Sequence, residues 1–338
     1  MASFRVDPPL KSIRMWLYVC CGLVFAMVLL GGITRLTESG LSIVHWRPVT
    51  GWLPPISDPA WAALFDAYRD SPEFRKLNFW MGLEDFKRIF WLEYLHRLLG
   101  RILGVVYLLP FLWFVIRYRL PAGLTGLLAI LFVLGGAQGT LGWYMVKSGL
   151  VDEPSVSQYR LAAHLGLAVA IYGMMLYIAA SMRPQAVSSS ASAGNSGWLP
   201  ALVFVTMIWG AFMSGLDGGA VFNTFPLMDG HLFPPGALSM VPVWLNLFEN
   251  IGLVQWLHRV LAIVTVVAVL WAWWRDRQAG SAALNLLAAF ALLQFGLGIV
   301  TILSGASIYI AWAHQGGAMV LFSAAIWRWQ ETRSKTEA

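Results

Sequence analysis

Eight stretches of this chain are apolar over the length of a bilayer: roughly 15–34, 89–116, 122–146, 161–182, 198–215, 251–274, 282–303 and 308–327. About 20 mainly apolar residues cross a hydrocarbon core of about 30 Å as a helix. The expected fold class is therefore all-α, a polytopic membrane protein with eight transmembrane helices. Composition agrees, with 58% hydrophobic and 12% charged residues where soluble domains carry about 25% charged. A net charge of +6 raises nucleic acid as a partner. The Lys and Arg residues, however, gather at the ends of apolar runs, which is where membrane proteins place them. Lipid is the expected surrounding and nucleic acid is excluded. The first run follows Arg5, Lys11 and Arg14, but it is too long for a signal-peptide core and lacks a small-x-small cleavage site. It reads as a retained helix. Cys20 and Cys21 are neighbours inside it, pointing about 100° apart on a helix, and suit neither a disulfide nor a zinc site. They read as packing residues.

The short loops set orientation. Lys11 and Arg14, Arg117 and Arg119, Arg183, Arg275 and Arg277, then Arg328, Arg333 and Lys335 all fall on one side. That side is cytoplasmic by the positive-inside rule, with both termini inside. Outer loops then span about 35–88 and 216–250, with a shorter one at 147–160. Residues 1–14 include Asp7 and Pro8-Pro9 and make a poor transit peptide, so a bacterial inner membrane is favoured over the mitochondrial one.

A Ser/Ala/Gly segment at 184–197 reads as a flexible linker and divides the chain into halves 1–190 and 191–338. The halves match each other. LEYLHRLLG (92–100) pairs with VQWLHRVLA (254–262), QGTLGWYMVKSG (138–149) with QFGLGIVTILSG (294–305), and AAHLGLAV (162–169) with WAHQGGAM (312–319). This is an internal duplication of two four-helix bundles. Corresponding helices run the same way, so the repeat is parallel, unlike the inverted repeats of many transporters.

Four of the six histidines lie in apolar runs: His96, His164, His258 and His314. Counting to the next inner arginine gives 21, 19, 17 and 14 residues, or about 21–32 Å of helix. The four imidazoles thus share a depth in the outer part of the membrane, two to each half. The residue four further on, one turn deeper on the same face, is Gly100, Ala168, Ala262 or Ala318. Small residues there leave clearance for a flat macrocycle, and bis-histidine haem accounts for both features. Zinc or copper needs three or four convergent ligands. A di-iron site, suggested by Glu93-x-x-His96, needs several inward carboxylates, and a proton relay needs acids that the spans lack. Glu93 and Gln255 occupy equivalent positions three residues before His96 and His258. A carboxylate beside a porphyrin can move protons or stabilise a cation, as an amide cannot, so the halves are expected to differ in role. Alternatively Glu93 simply pairs with Arg97 at i,i+4. Arg97, Arg101 and Arg259 stand where haem propionates would meet them, or where they would snorkel to the interface. His45 and His231, in outer loops, read as surface or interface residues.

With GGITRLTESGLSIVHWRPVTGWLPP (31–55), FWLEYLHRLLGR (90–101), the His164 and His314 helices and GLDGGAVFNTFPLMDG (215–230), the chain resembles the haem A synthases over nearly its whole length, in the type shared by mitochondria and many Gram-negative bacteria. The resemblance implies oxidation of a methyl group of haem O to the formyl group of haem A, for cytochrome oxidase. It implies that the N-terminal half takes the substrate at His96 and His164 with Glu93 catalytic, and that His258 and His314 ligate a resident haem b. It also implies an electron donor and contact with the haem O synthase that supplies the substrate, and leaves a homo-oligomer open. Other branches of the family have a cysteine pair in the first outer loop, whereas residues 35–88 here contain no cysteine.

Two rival functions use the same histidines, a di-haem b-type membrane electron carrier and a haem transporter. The carrier would need two equivalent haems and gives no reason for the Glu93/Gln255 difference. The orientation makes a direct prediction: reporter tags at either terminus or in 184–197 should be protected in spheroplasts, and an accessible linker would overturn the assigned spans.

Overall fold

The computed structural model describes residues 9–47, 50–121, 123–151, 154–182 and 196–336. Arg5, Asp7, Pro8, Arg183 and most of the expected linker lie outside the described residues. All regular elements among the described residues are helical. The chain divides into two compact units, Met1–Arg160 and Leu161–Ala338.

The first unit holds α1 (Leu10–Leu36), α2 (Asp58–Arg69), α3 (Leu83–Arg117) and α4 (Leu124–Ser148). α1 packs along α3 through Trp16, whose indole N–H donates to the Val106 carbonyl at 2.8 Å and whose ring meets Tyr107 and Phe114. The Tyr107 hydroxyl donates to the Leu128 carbonyl at 2.8 Å, so its one polar atom ties α3 to α4 where lipid offers no partner. Cys20 and Cys21 are buried free thiols, in keeping with their reading as packing residues.

At 35 residues, or about 52 Å, α3 is longer than a bilayer is thick. Its first turns leave the membrane and pack with α2 around Trp61, Tyr68, Phe86, Phe90 and Tyr94. Inside this aromatic cap the Tyr68 hydroxyl donates to Glu73 at 2.8 Å and accepts from Asn78 at 2.8 Å.

The second unit holds α5 (Gln158–Ser181, all but its first turn), α6 (Trp198–Gly215), the one-turn α7 (Asn246–Glu249), α8 (Ile251–Asp276), α9 (Ala282–Leu303) and α10 (Ile308–Thr336). The duplication assigns α5 to the first half. Within the second unit its glycine face admits close neighbours, Gly166 meeting Ile208 of α6 and Gly173 meeting Phe322 of α10. Tyr172 and Ser323 share a hydroxyl–hydroxyl hydrogen bond of 2.6 Å. Asn250 caps α8 by accepting from the Leu253 N–H, and Ser281 caps α9 by accepting from the Leu284 N–H, each at 3.1 Å. At the inner end Arg328 is buried between Asp276 (3.0 Å) and Glu331 (2.9 Å), joining α8 to α10 by paired charge.

Among the described residues seven helices are long and apolar enough to cross a membrane: α1, α3, α4, α5, α6, α8 and α9. The apolar stretch of α10 is interrupted by His314-Gln315 and ends in Arg328, Gln330, Glu331 and Arg333, which leaves it more polar than the others.

Burial pushes the Glu73 carboxyl up from 4.5 to about 7, against the opposing hydrogen bond from Tyr68. The unfolded carboxyl therefore ionises before the folded one, and the aromatic cap should be most stable below about pH 4.5. As pH rises to about 7 that stability is lost, by up to roughly 3 kcal/mol. Proteolysis or hydrogen exchange of residues 57–82 should accelerate over that window, and Glu73→Gln should flatten the profile. An unchanged profile in the variant would remove Glu73 as its cause.

Candidate functional site

Within the second unit α8 and α10 bring His258 and His314 together. Their ring centroids are 6.4 Å apart and the planes are nearly perpendicular, at 85°. Two metal–nitrogen bonds of about 2 Å, with the half-depth of each ring, span just over 6 Å. The pair thus fits one iron between two axial imidazoles. His258 Nδ1 lies 3.1 Å from the Thr206 carbonyl of α6. With its proton directed there, Nδ1 leaves Nε2 free as the ligating atom. His314 Nδ1 lies 3.1 Å from the side-chain amide of Gln294 on α9, which also donates to the His314 carbonyl at 2.8 Å. Among the described residues no group of three or more His, Cys, Asp and Glu side chains gathers. The imidazole pair is the feature that chemistry can use.

His96 lies on α3 with its Cε1 edge against Gly31 of α1. One turn further along α3, a methyl group at Gly100 would meet Met27 Cε at 3.7 Å, an ordinary packing distance. His164 is on α5, in the second unit, between Ala162, which is buried against Ala211, Phe212 and Val254, and Gly166.

The structure gives the acid and the arginines their partners, and the i,i+4 pair of Glu93 with Arg97 that the spacing allowed is among them. Glu93 is 3% exposed. Its Oε1 pairs with Arg97 at 2.6 Å, while Oε2 accepts from the Ser42 hydroxyl at 2.7 Å and the Ile43 N–H at 2.8 Å. Arg97 also donates to the Ile43 carbonyl at 2.9 Å and the His45 carbonyl at 3.3 Å, and Arg101 to the Arg47 carbonyl at 2.8 Å. The first outer loop is thereby latched to α3. The second unit repeats the device. Gln255 donates to the Gly218 carbonyl at 3.1 Å and the Val221 carbonyl at 2.6 Å. Arg259 donates to the Phe222 (2.7 Å), Thr224 (2.8 Å) and Leu227 (3.5 Å) carbonyls and to Gln255 at 3.4 Å. Of the guanidinium positions expected at propionates, Arg259 keeps one buried N–H, at Nε, outside this set.

His45 and His231 are exposed, as expected. His45 enters the latch through its carbonyl alone, and His231 closes a two-bond turn with Met228. Sequence reasoning missed Ser42, Thr206 and the glycines beside the imidazoles. Gln294 was visible as a shared residue of the repeat, and Gly31 as part of GGITRLT.

The family model described as cytochrome oxidase assembly protein matches residues 14–326. The chain is 47% identical to the Heme A synthase of Nitrosospira multiformis, covering 96% of this chain and 94% of the relative. It is 49% identical to the Heme A synthase of Rhodospirillum centenum, covering 94% and 87%, and 44% identical to that of Parvibaculum lavamentivorans, covering 96% and 95%.

The two latches have opposite polarity, since Glu93 accepts from its loop and Gln255 donates to its own. Gln255→Glu would set a carboxylate against two carbonyls and should lower stability by about 2–4 kcal/mol through lost donors and repulsion. Glu93→Gln keeps one oxygen for Ser42 and Ile43 but turns its amide N–H groups to Arg97, and should destabilise as well. Thermal melts in detergent read both losses, and a native melting point in either variant would refute the assigned polarity.

Proposed function

Because the chain belongs to the cytochrome oxidase assembly protein family that includes these heme A synthases, we propose that it is itself a haem A synthase, an oxidoreductase that converts a methyl group of haem O to the formyl group of haem A. The structural observation that carries this reading is the perpendicular imidazole pair at 6.4 Å in a bundle whose sequence is duplicated. The duplication supports two haem sites, one for a resident group and one for a substrate.

For the second half, His258 and His314 would hold a resident haem b, which supplies reversible one-electron transfer when bound. Thr206 fixes the tautomer of His258 through its carbonyl, and Arg259 holds the outer loop beside the site. For the first half, His96 and His164 are the proposed ligands of the substrate iron, with Glu93 on the His96 face. Its carboxylate, held by Ser42, Ile43 and Arg97, presents fixed negative charge and proton-accepting oxygens. Taking a methyl to a formyl group adds one oxygen atom and removes electrons and protons, the electrons passing to an oxidant outside this chain; a carboxylate so placed can accept protons or stabilise developing positive charge. Arg97, Arg101 and Arg259 are proposed to keep the outer loops closed over the two sites, with any propionate contact made through their remaining N–H groups. α10 is proposed as the eighth span, both termini as cytoplasmic, and the membrane as the bacterial inner membrane. The halves 1–190 and 191–338 are proposed as the functional division, with haem O synthase and an electron donor as partners.

The experiment is haem analysis of purified protein and of cells that depend on it. His258→Ala or His314→Ala should remove the low-spin haem b spectrum. Glu93→Gln should retain haem b, accumulate haem O and lose about 10²–10⁴ in rate. Ser42→Ala, which breaks one latch bond but keeps the carboxylate, should retain most activity. Normal haem A from Glu93→Gln would reduce Glu93 to its latch. Two molecules of haem B and no haem O or A in the native protein would favour the electron carrier.

A further inference from the structure

Three of the helix histidines rest on the preceding long helix of their bundle, and rest there in the same way. The ring of His258 on α8 turns its Cε1 edge to Gly210 on α6, where an added methyl group would lie 3.1 Å from that atom. An added methyl group at Gly298 on α9 would lie 3.0 Å from Cε1 of His314 on α10, and one at Gly31 on α1 would lie 2.9 Å from Cε1 of His96 on α3. Carbon atoms pack best at about 3.5–4.0 Å, so an alanine at any of the three presses on the ring, which must give by a few tenths of an ångström or more. These glycines lie inside helices, where glycine is a weaker helix former than alanine. Their backbones are helical, so the room they leave is what the positions require. Other helix glycines behave differently: Gly22, Gly104 and Gly296 face open space.

In the second unit a second contact completes each seat. Thr206, whose carbonyl faces His258 Nδ1, is one turn before Gly210. Gln294, whose amide faces His314 Nδ1, is one turn before Gly298. Residues four apart lie on one helix face. Each ring is therefore held at two points by one face of one helix, Nδ1 by a polar group and Cε1 by a bare Cα.

We propose that Gly31, Gly210 and Gly298 are positioning residues for the axial imidazoles, and that Thr206 and Gln294 complete the seats of His258 and His314. This rests on the reading of these histidines as haem ligands. Ligand geometry has to be held within about 0.5 Å and 10–20° to function, and loss of a group that orients a ligand typically costs 10–100-fold in affinity.

The test uses the full-length protein purified in detergent, reading haem content, the ferric low-spin electron paramagnetic resonance signal and the midpoint potential. Gly210→Ala and Gly298→Ala should lower haem b affinity about 10–100-fold and alter the low-spin signal. Gly296→Ala, two residues away on α9, should leave all three readings native. Gly31→Ala should spare the haem b signal and weaken haem O binding. Native spectra in both Gly210→Ala and Gly298→Ala overturn the proposal. A haem b spectrum that survives His258→Ala overturns the ligand reading instead. If Gly210→Ala does not fold, the same change is made in His258→Gly supplied with free imidazole. Folding restored there shows that the clash was with the ring and supports the proposal; failure in both backgrounds makes the glycine a helix-packing residue and overturns it.

Discussion

An arginine beside each of two histidines gathers the backbone carbonyls of an outer loop, and the site depends on that contact. A loop at the membrane border carries peptide groups that lipid cannot satisfy, and each one left bare costs several kcal/mol. Arg259 meets the demand for Phe222, Thr224 and Leu227 with one planar group. A guanidinium offers five donors in a fixed fork, whereas an ammonium offers three on a mobile stem. Because Arg259 follows His258 directly, a loop bound to the arginine is also held at the ligand. Arg97 does the same next to His96 with Ile43 and His45.

The Glu93/Gln255 difference takes on a second meaning from this geometry. As sequence it suggests one half for chemistry and one for electrons. The structure adds that the first loop presents an N–H and a hydroxyl, at Ile43 and Ser42, whereas the second presents carbonyls, at Gly218 and Val221. An acceptor suits the first and a donor the second, whatever the chemistry. The proposed catalytic role of Glu93 and its latch role are compatible, because a carboxylate has about four lone-pair sites and the three contacts at Ser42, Ile43 and Arg97 do not exhaust them.

The apolar runs made the long helices legible, since hydrocarbon forces length and composition together. The histidines were legible because an imidazole in a span is rare and the duplication set four at one depth. The start of α3 at Leu83 rather than near 89 was not legible, because its first turns are buried by the aromatic cap instead of by lipid. α5 was assigned by the repeat to the first half, yet Gly166 and Gly173 give it a close-packing face toward α6 and α10, a property of shape that hydropathy does not carry. By sequence Arg97, Arg101 and Arg259 suit propionates or the interface, and Arg97 also suits Glu93, with which it does pair. Most of their other partners are backbone carbonyls, which every residue possesses and which no sequence pattern marks.

A resident cofactor and an exchanging substrate ask different things of one duplicated scaffold. The pair proposed to hold a resident group is firmly placed: His258 and His314 lie in the same compact unit, each with a neighbour at Nδ1, and the loop before α8 is fixed by the buried Asn246 through Met240 and Val243. The proposed substrate half is held differently. Its latch turns on one carboxylate, and the cap above α3 encloses Glu73, a carboxyl that burial raises to about 7. The glycine beside the imidazole and the arginine after it recur in both units, while the latch residue changes from an acid on α3 to an amide on α8.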